Sequence, residues 1–463
     1  MASTRGRAAK PPTATKRAAP KDASISPPPL KRKVQSAISK SAVANFFTPT
    51  SQKPKDRTTW IERSPNDDTP ATLLVAKYLP EEKDNDKSLQ KRRKIAAFDL
   101  DSTLIAPASG KRHGQDAADW KWWHHSVPGR LRQMYCEEGY QVVIFTNQGG
   151  LTLHPDPKSK APKSQKSRVP AFKQKCSVIL AQLDIPITLY AATEKDIYRK
   201  PRTGMWKEMK DDYDLAETDV DHANSIFVGD AGGRPAEVKN GATIPKDFSC
   251  SDRNLAHNIG IEFKTPEEFF LGEAPRVFAR EVNLADFPFP SQEDVVAFEK
   301  KNKQDMILFV GPPGAGKSTF FWKQLKPLGY ERVNQDQLKS RDNCFKAATA
   351  FLKEGESIVI DNTNPDADVR SQWVELAKKH KVPIRCVWFK TPLYLCEHND
   401  AVRSLNKTLN PEDRQSLPKL AFNGFASRFK EPKEKEGFQD IVEVEFKFKG
   451  SREEYEIWGK YWV

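Results

Sequence analysis

"KIAAFDLDSTL", residues 94–104, is the stretch on which the fold turns. A short apolar run ends in two aspartates, Asp99 and Asp101, with Thr103 two positions further on. An unbroken apolar run of this length is a strand buried on both faces. Parallel α/β sheets gather their ligands at the carboxyl ends of such strands. Two carboxylates held that close repel each other unless something positive stands between them.

The pattern outward from this strand alternates. "ATLLVAKYL" (71–79) reads as a strand before it, followed by a polar spacer. After it come a helix, "PGRLRQMYCEEG", with Pro at its start and Gly at its end, and then the continuous apolar strand "YQVVIFTN" (140–147). "AFKQKCSVILAQLD" is helical, "ITLYAAT" extended, "GMWKEMKDDY" helical and "SIFVGD" extended. Alternation of this kind predicts a parallel α/β sheet. Four polar clusters fall at or just after the strand ends, in order: Asp99/Asp101/Thr103, Thr146–Asn147, Lys200 in "YRKP" and Asp230 in "VGDAGGR".

These residue types suit phosphate-ester cleavage. A carboxylate attacks phosphorus in line and gives an aspartyl-phosphate, which water then cleaves. Asp99 is the expected nucleophile, and Asp101 the acid that protonates the leaving oxygen and later activates water. Mg²⁺ bound by Asp99, the Asp101 main chain and Asp230 would neutralise the cluster, with Lys200 adding a fixed positive charge. Thr146 is expected to hydrogen-bond a phosphoryl oxygen. The four ordered clusters resemble those of the haloacid dehalogenase-type phosphatases. Many members of that family carry a second acid three or four residues after the last Asp; here those positions are Gly233 and Arg234. Asp247 or Asp252 in "KDFSCSDR" could substitute, and a surface role for them fits equally well.

A second motif lies downstream. "DMILFVGPPGAGKSTFFWKQL" reads as a strand, a glycine-rich loop and a helix. Gly311, Gly314 and Gly316 let the loop curl so that its N–H groups face phosphates; Lys317 reaches the β/γ-phosphates of ATP, and Ser318, beside Thr319, ligates Mg²⁺. "ESIVIDNTN" ends a second apolar strand at Asp361, suited to the metal shell. Asp336 in "VNQDQL" is placed for a general base toward an incoming hydroxyl, with a helix N-cap as its alternative role. Arg403 sits on an expected lid helix, where it could stabilise transferring charge.

Charge is distributed unevenly. The net charge is +13, but residues 1–57 hold 13 Lys and Arg against two Asp and Glu, and eight prolines. Such a tail cannot bury enough surface to order itself, so disorder is expected. Within it, Lys16–Arg17 and Lys31–Lys33 resemble a two-part nuclear import signal, which puts the protein in the nucleus. "KSAVANFF", Lys40–Phe47, resembles a sliding-clamp-binding box with Lys where Gln is usual. No run of about 18 apolar residues exists, so no membrane span is expected. Six cysteines without a CxxC pair suggest free thiols, a reducing compartment and no zinc site.

The residues from 58 to 463 resemble the polynucleotide kinase 3′-phosphatase family. The stretches that carry the likeness include "FDLDSTL", "VIFTNQ", "YRKPRTGMW", "VGDAGGRPA", "KDFSCSDRNLAHNIGI", "GPPGAGKST", "VNQD" and "IDNTNPDA", in the family's order. The resemblance implies a haloacid dehalogenase-like parallel-sheet phosphatase domain over 58–275, a linker over 276–300 and a P-loop kinase domain over 301–463, after the basic tail. It implies removal of 3′-phosphates and ATP-dependent phosphorylation of 5′-hydroxyls at DNA strand-break ends; a monomer is expected. It carries Asp99 as nucleophile, Asp101 as acid and base, Lys317 as the loop lysine, Asp336 as base and Arg403 as lid arginine. Ser102 stands where the family's motif has Gly. The motifs alone also fit a bifunctional enzyme acting on small sugar or nucleotide phosphates; the basic tail and "DWKWWHH" (119–125) favour a polymer.

Overall fold

The computed structural model describes residues 56–81, 91–112, 114, 116–155, 168–239, 241–290 and 297–463. The readings made for the tail, including the import signal and Lys40–Phe47, lie outside these residues. Asp56–Val463 forms one compact unit, whose described residues hold two sheets of five or more strands. Among the described residues no helix is long and apolar enough to cross a membrane.

The first sheet has seven strands: β1 (Thr58–Arg63), β2 (Leu73–Tyr78), β3 (Lys94–Phe98), β4 (Tyr140–Asn147), β5 (Ile187–Ala192), β6 (Ile226–Val228) and β7 (Glu262–Lys264). Their order is β1-β2-β5-β4-β3-β6-β7. From β5 to β7 the strands are parallel, as the alternating pattern requires. β2 instead pairs antiparallel with β5, and β1 antiparallel with β2. This edge departs from the all-parallel expectation: residues 64–72 join β1 to β2 without a crossover helix, and neighbouring strands so joined pair antiparallel.

Both faces of this sheet are covered. Alternate residues such as Ala96, Phe98, Val142 and Ile144 pack with helices α1 (Val127–Cys136) and α2 (Arg168–Leu183). Their neighbours Ile95, Ala97, Val143 and Phe145 pack with α3 (Gly204–Asp212) and α4 (Ser251–Ile259). This explains why the strands read as continuous apolar runs. Each fully buried aliphatic or aromatic side chain contributes about 1.5–3 kcal/mol. The central strand β3 lies between β4 and β6, so its carboxyl end is where the strand order reverses, and Asp99 follows it directly.

The second sheet is entirely parallel. Its strands are β8 (Met306–Val310), β9 (Tyr330–Val333), β10 (Ser357–Ile360), β11 (Ile384–Phe389) and β12 (Ile441–Val444), in the order β9-β10-β8-β11-β12. β8 is again the strand at the reversal, and the glycine-rich loop leaves its end. Beyond that loop lie α5 (Lys317–Phe320), α6 (Gln335–Leu338), α7 (Arg341–Lys353), α8 (Ala367–His380), α9 (Leu393–Leu405), α10 (Lys419–Arg428) and α11 (Arg452–Trp458). Val282 and Leu284, from the segment joining the halves, pack with Leu395, Val402, Phe448, Trp458 and Tyr461. That segment is thus packed against the second half.

Candidate active sites

The turn after β3 brings the first cluster together. Asp99 is buried, and its Oδ1 accepts from Lys200 Nζ at 2.5 Å. Lys200 is buried too; its Nζ also donates to the Phe145 carbonyl at 2.8 Å. Asn147, at the end of β4, fixes the lysine's backbone: its Oδ1 accepts from Lys200 N and its Nδ2 donates to Lys200 O. Thr103 is fully buried, and its hydroxyl accepts the Asp230 N–H at 3.1 Å, tying the first and fourth clusters. Thr146 and Asp101 share a partner, since Gln148 Nε2 donates to both, at 2.9 and 2.7 Å. Asp101 itself is exposed, with Lys175 Nζ 3.6 Å away. Ser102 has φ +62°, the left-handed region, which accounts for the glycine that the family's motif places there.

Of Asp247 and Asp252, it is Asp252 that approaches the cluster. It lies at the start of α4, 1% exposed, with its Oδ1 2.9 Å from Lys200 Nζ but off the alignment of a hydrogen bond. Carboxylate oxygens of Asp99, Asp230 and Asp252 all lie within 4.8 Å of one another. Gly229 makes this approach possible, because a Cβ there would strike the Asp252 carboxylate. Asp247 is engaged elsewhere, holding Arg234 Nε at 2.9 Å and the Gly232 and Arg234 N–H groups. Sequence spacing could not separate these two aspartates.

The charge balance suits a cation. Burial pushes the Asp99 carboxyl up to about 7 against the pull of Lys200, with Asp252 adding repulsion. Burial, then Asp99 and Asp252, push Asp230 up to about 8. Burial works against the Lys200 charge, yet the Asp252 and Asp99 carboxylates outweigh it and raise its pKa. Of the three clustered carboxyls, with Lys200 as the ammonium touching two of them, Asp99 and Asp230 give up their protons reluctantly, and a further positive charge would favour their ionised forms. A small divalent ion with oxygen ligands fits that donor set.

In the second half, the glycine-rich loop wraps the end of β8. Gly314 has φ +78°, and a Cβ there would run into the Cys396 carbonyl, so the close approach of α9 requires glycine. Lys317 Nζ donates to the Gly311 and Pro312 carbonyls at 3.0 and 2.5 Å, and burial lowers its pKa to about 8. Ser318 Oγ donates to Asp361 Oδ2 at 3.1 Å, joining the two expected metal-shell residues. A cavity of about 1000 Å³ lies over the loop, lined also by Asp336, Arg403, Arg414 and Phe446.

Residues 94–270 match the family model described as polynucleotide kinase 3 phosphatase, and residues 306–432 match an AAA domain. The chain is 39% identical over 393 residues to the bifunctional polynucleotide phosphatase/kinase of Schizosaccharomyces pombe, an alignment covering 84% of this chain and 86% of the relative. The chain belongs to the bifunctional polynucleotide phosphatase/kinase family. A putative bifunctional polynucleotide phosphatase/kinase of Acanthamoeba polyphaga mimivirus is 31% identical, over 80% of this chain and 89% of its own length. The polynucleotide 3′-phosphatase of Saccharomyces cerevisiae is 28% identical and matches 38% of this chain, 87% of its own length.

Within the kinase half of this family member, the structure separates two roles left open for Asp336. The N-cap of α6 is Asn334, whose Oδ1 accepts from the Asp336 and Gln337 N–H groups. The Asp336 carboxylate is therefore not a cap; it is 73% exposed and lines the cavity. Arg403 Nη2 is held by Asp400 at 2.6 Å, and its Nε has no hydrogen-bond partner. Two arginines went unnoticed in the sequence. Arg332, on β9, donates to Asp361 from Nε at 2.7 Å, to Ser318 Oγ at 2.8 Å and to Glu412 at 2.6 Å. Arg414 lies 3.3 Å from Ser318 Oγ and 3.5 Å from Asp336. Arg332 immediately precedes "VNQD" and Arg414 stands in a stretch without a motif; the tertiary contacts are what reveal them.

Proposed function

We propose that this protein removes 3′-phosphates from DNA ends at the Asp99 centre and phosphorylates 5′-hydroxyls with ATP at the Lys317 centre, restoring ends that a ligase can join. The observation that carries this reading is the pairing of both centres in one chain alignable over 86% of a bifunctional polynucleotide phosphatase/kinase.

In the phosphatase reaction, the Asp99 carboxylate attacks phosphorus while Lys200, 2.5 Å away, offsets the charge gathered there. Asp101 protonates the departing 3′-oxygen and then takes a proton from the water that cleaves the aspartyl-phosphate. Gln148 orients Asp101 and Thr146 together, and Thr146 hydrogen-bonds a phosphoryl oxygen. Asp99, Asp230, Asp252 and the Asp101 main chain would hold Mg²⁺. When bound, the ion supplies positive charge against the phosphate dianion and the carboxylates.

In the kinase reaction, the loop N–H groups and Lys317 hold ATP, and Asp336 takes the proton of the incoming hydroxyl. Ser318 and Asp361 would hold the nucleotide's Mg²⁺, while Arg403 and Arg414 approach the transferring phosphoryl from the lid side. Nuclear localisation through the basic tail, a monomeric state and docking of Lys40–Phe47 on a sliding clamp belong to the same reading and rest on sequence alone.

The test is an assay of a nicked duplex bearing 3′-phosphate and 5′-hydroxyl, alongside a panel of small phosphate esters. Asp99→Ala should abolish 3′-phosphate removal and spare the kinase; Lys317→Ala should do the reverse. Loss of both activities in either variant would refute two independent centres, and preference for a small ester would favour a metabolic enzyme.

A further inference from the structure

The phosphatase site is held partly by the kinase half. Lys200 sits in a loop anchored on one side by Asn147 of β4. On its other side, the carbonyl of the next residue, Pro201, accepts from Asn258 Nδ2 at 2.9 Å. Asn258 lies on α4, the helix that also presents Asp252. The remaining polar contacts of this amide go to Tyr461. Asn258 Nδ2 donates to Tyr461 O at 2.7 Å, and its Oδ1 accepts from Tyr461 N at 2.8 Å. The amide is thus gripped in one rotamer by a backbone segment 203 residues away.

Neighbouring contacts extend the grip. Arg202 Nε donates to Trp462 O at 3.1 Å, and its Nη1 to Asp196 O at 2.7 Å. The Tyr461 ring is buried, with the Arg280 guanidinium 4.9 Å from its centroid and the His257 ring edge-on at 5.1 Å. Arg280 in turn bonds Asn254 of α4 at 2.9 Å. On the kinase side, Trp458 Nε1 donates to Asn399 Oδ1 at 2.8 Å, and Asn399 Nδ2 to the Gly314 carbonyl of the glycine-rich loop at 2.9 Å. One run of contacts therefore joins the two sites.

We propose that residues 458–462 are a positioning element of the phosphatase site: the Tyr461 backbone locks Asn258, which fixes the Pro201 carbonyl and with it the Lys200 loop and the Asp252 helix. This rests on the reading of Asp99, Lys200 and Asp252 as the phosphatase centre. No residue of the segment touches the reacting atoms, so its effect is on geometry. Displacements of about 1 Å at a reacting centre cost up to about a hundredfold in rate.

The test uses the full chain. Tyr461→Pro deletes the N–H given to Asn258; Tyr461→Gly keeps it but removes the ring that seats the segment, and serves if the proline variant folds poorly. Expected are a phosphatase kcat lowered about tenfold for Pro and about threefold for Gly, KM within about twofold, and kinase kcat within about twofold. Asn258→Leu should lower phosphatase kcat similarly, and adding Tyr461→Pro to it should cost little more, because both act through one contact. A phosphatase kcat near the parent's in both Tyr461 variants, or equal loss of both activities with a lowered melting temperature, would overturn the proposal. Asp99→Ala run in parallel keeps the two readings apart: retained 3′-phosphatase activity there would sink the assignment of the centre itself.

Discussion

At the residue scale, two aspartates carry the sharpest consequences. Asp252 completes a carboxylate trio and stands beside Lys200, whereas Asp247 is bound to Arg234. Asp252→Asn keeps the Oδ that accepts the Ala231 N–H but replaces an anionic oxygen. It should lower 3′-phosphatase activity and raise the Mg²⁺ concentration needed for half-maximal rate, each by at least about tenfold, with the kinase unaffected. A magnesium titration of both activities checks this. Asp336 is the second case. Because Asn334 caps α6, Asp336→Asn removes no cap, and the melting curve should not move. Single-turnover phosphorylation of a 5′-hydroxyl oligonucleotide should slow by at least about a hundredfold through loss of the proton acceptor. Near-normal turnover would take the base assignment away from this residue.

At the element scale, the contact between α9 and α11 should weaken as pH falls. His398 on α9 is fully buried, and its Nε2 meets the Trp458 carbonyl at 2.9 Å while Nδ1 has no hydrogen-bond partner. Burial lowers its pKa to about 4, against the rise from that hydrogen bond. The unfolded chain then binds more protons than the folded one between about pH 6.5 and 4. Stability contributed by neutral His398 is present above about pH 6.5 and falls as pH drops toward 4, by on the order of 3 kcal/mol in full. His398→Gln should flatten that part of the stability–pH curve, measured by urea unfolding at pH 7 and 5. An unchanged slope in the variant would assign the acid sensitivity to other groups. The strands were the elements most legible in the sequence, since their apolar runs reflect burial on both faces. β1 was not legible, because "TTWIER" mixes polar and apolar residues at a sheet edge, where one side of the strand has no partner strand.

At the scale of the whole molecule, charge and connectivity separate. Residues 1–57 carry nearly all of the net positive charge. Deleting residues 1–55 should leave turnover on short oligonucleotides within about twofold while weakening binding to long duplex and flattening its salt dependence, because fewer counterions are released. Fluorescence anisotropy across a salt series checks this; an unchanged slope would mean that the tail makes no phosphate contacts. The two catalytic halves, by contrast, are joined through packed and hydrogen-bonded contacts around Leu284, Asn258 and Tyr461.

The sequence by itself determined the two α/β halves and placed Asp99, Asp230, Lys317 and Ser318 at or just after strand ends, with Lys200 in the loop beyond β5. It could do so because each depends on a local signal: an unbroken apolar run, a polar residue at its end, or glycines spaced for a phosphate-binding turn. Only the tertiary structure decided that Asp252 rather than Asp247 joins the carboxylates, that Asn334 caps the helix carrying Asp336, that Arg332 and Arg414 reach Ser318, and that Tyr461 grips the helix behind Lys200. Each is a contact between residues distant in the chain or ambiguous in spacing. Such contacts are set by how sheets and helices pack, and linear order carries no record of them.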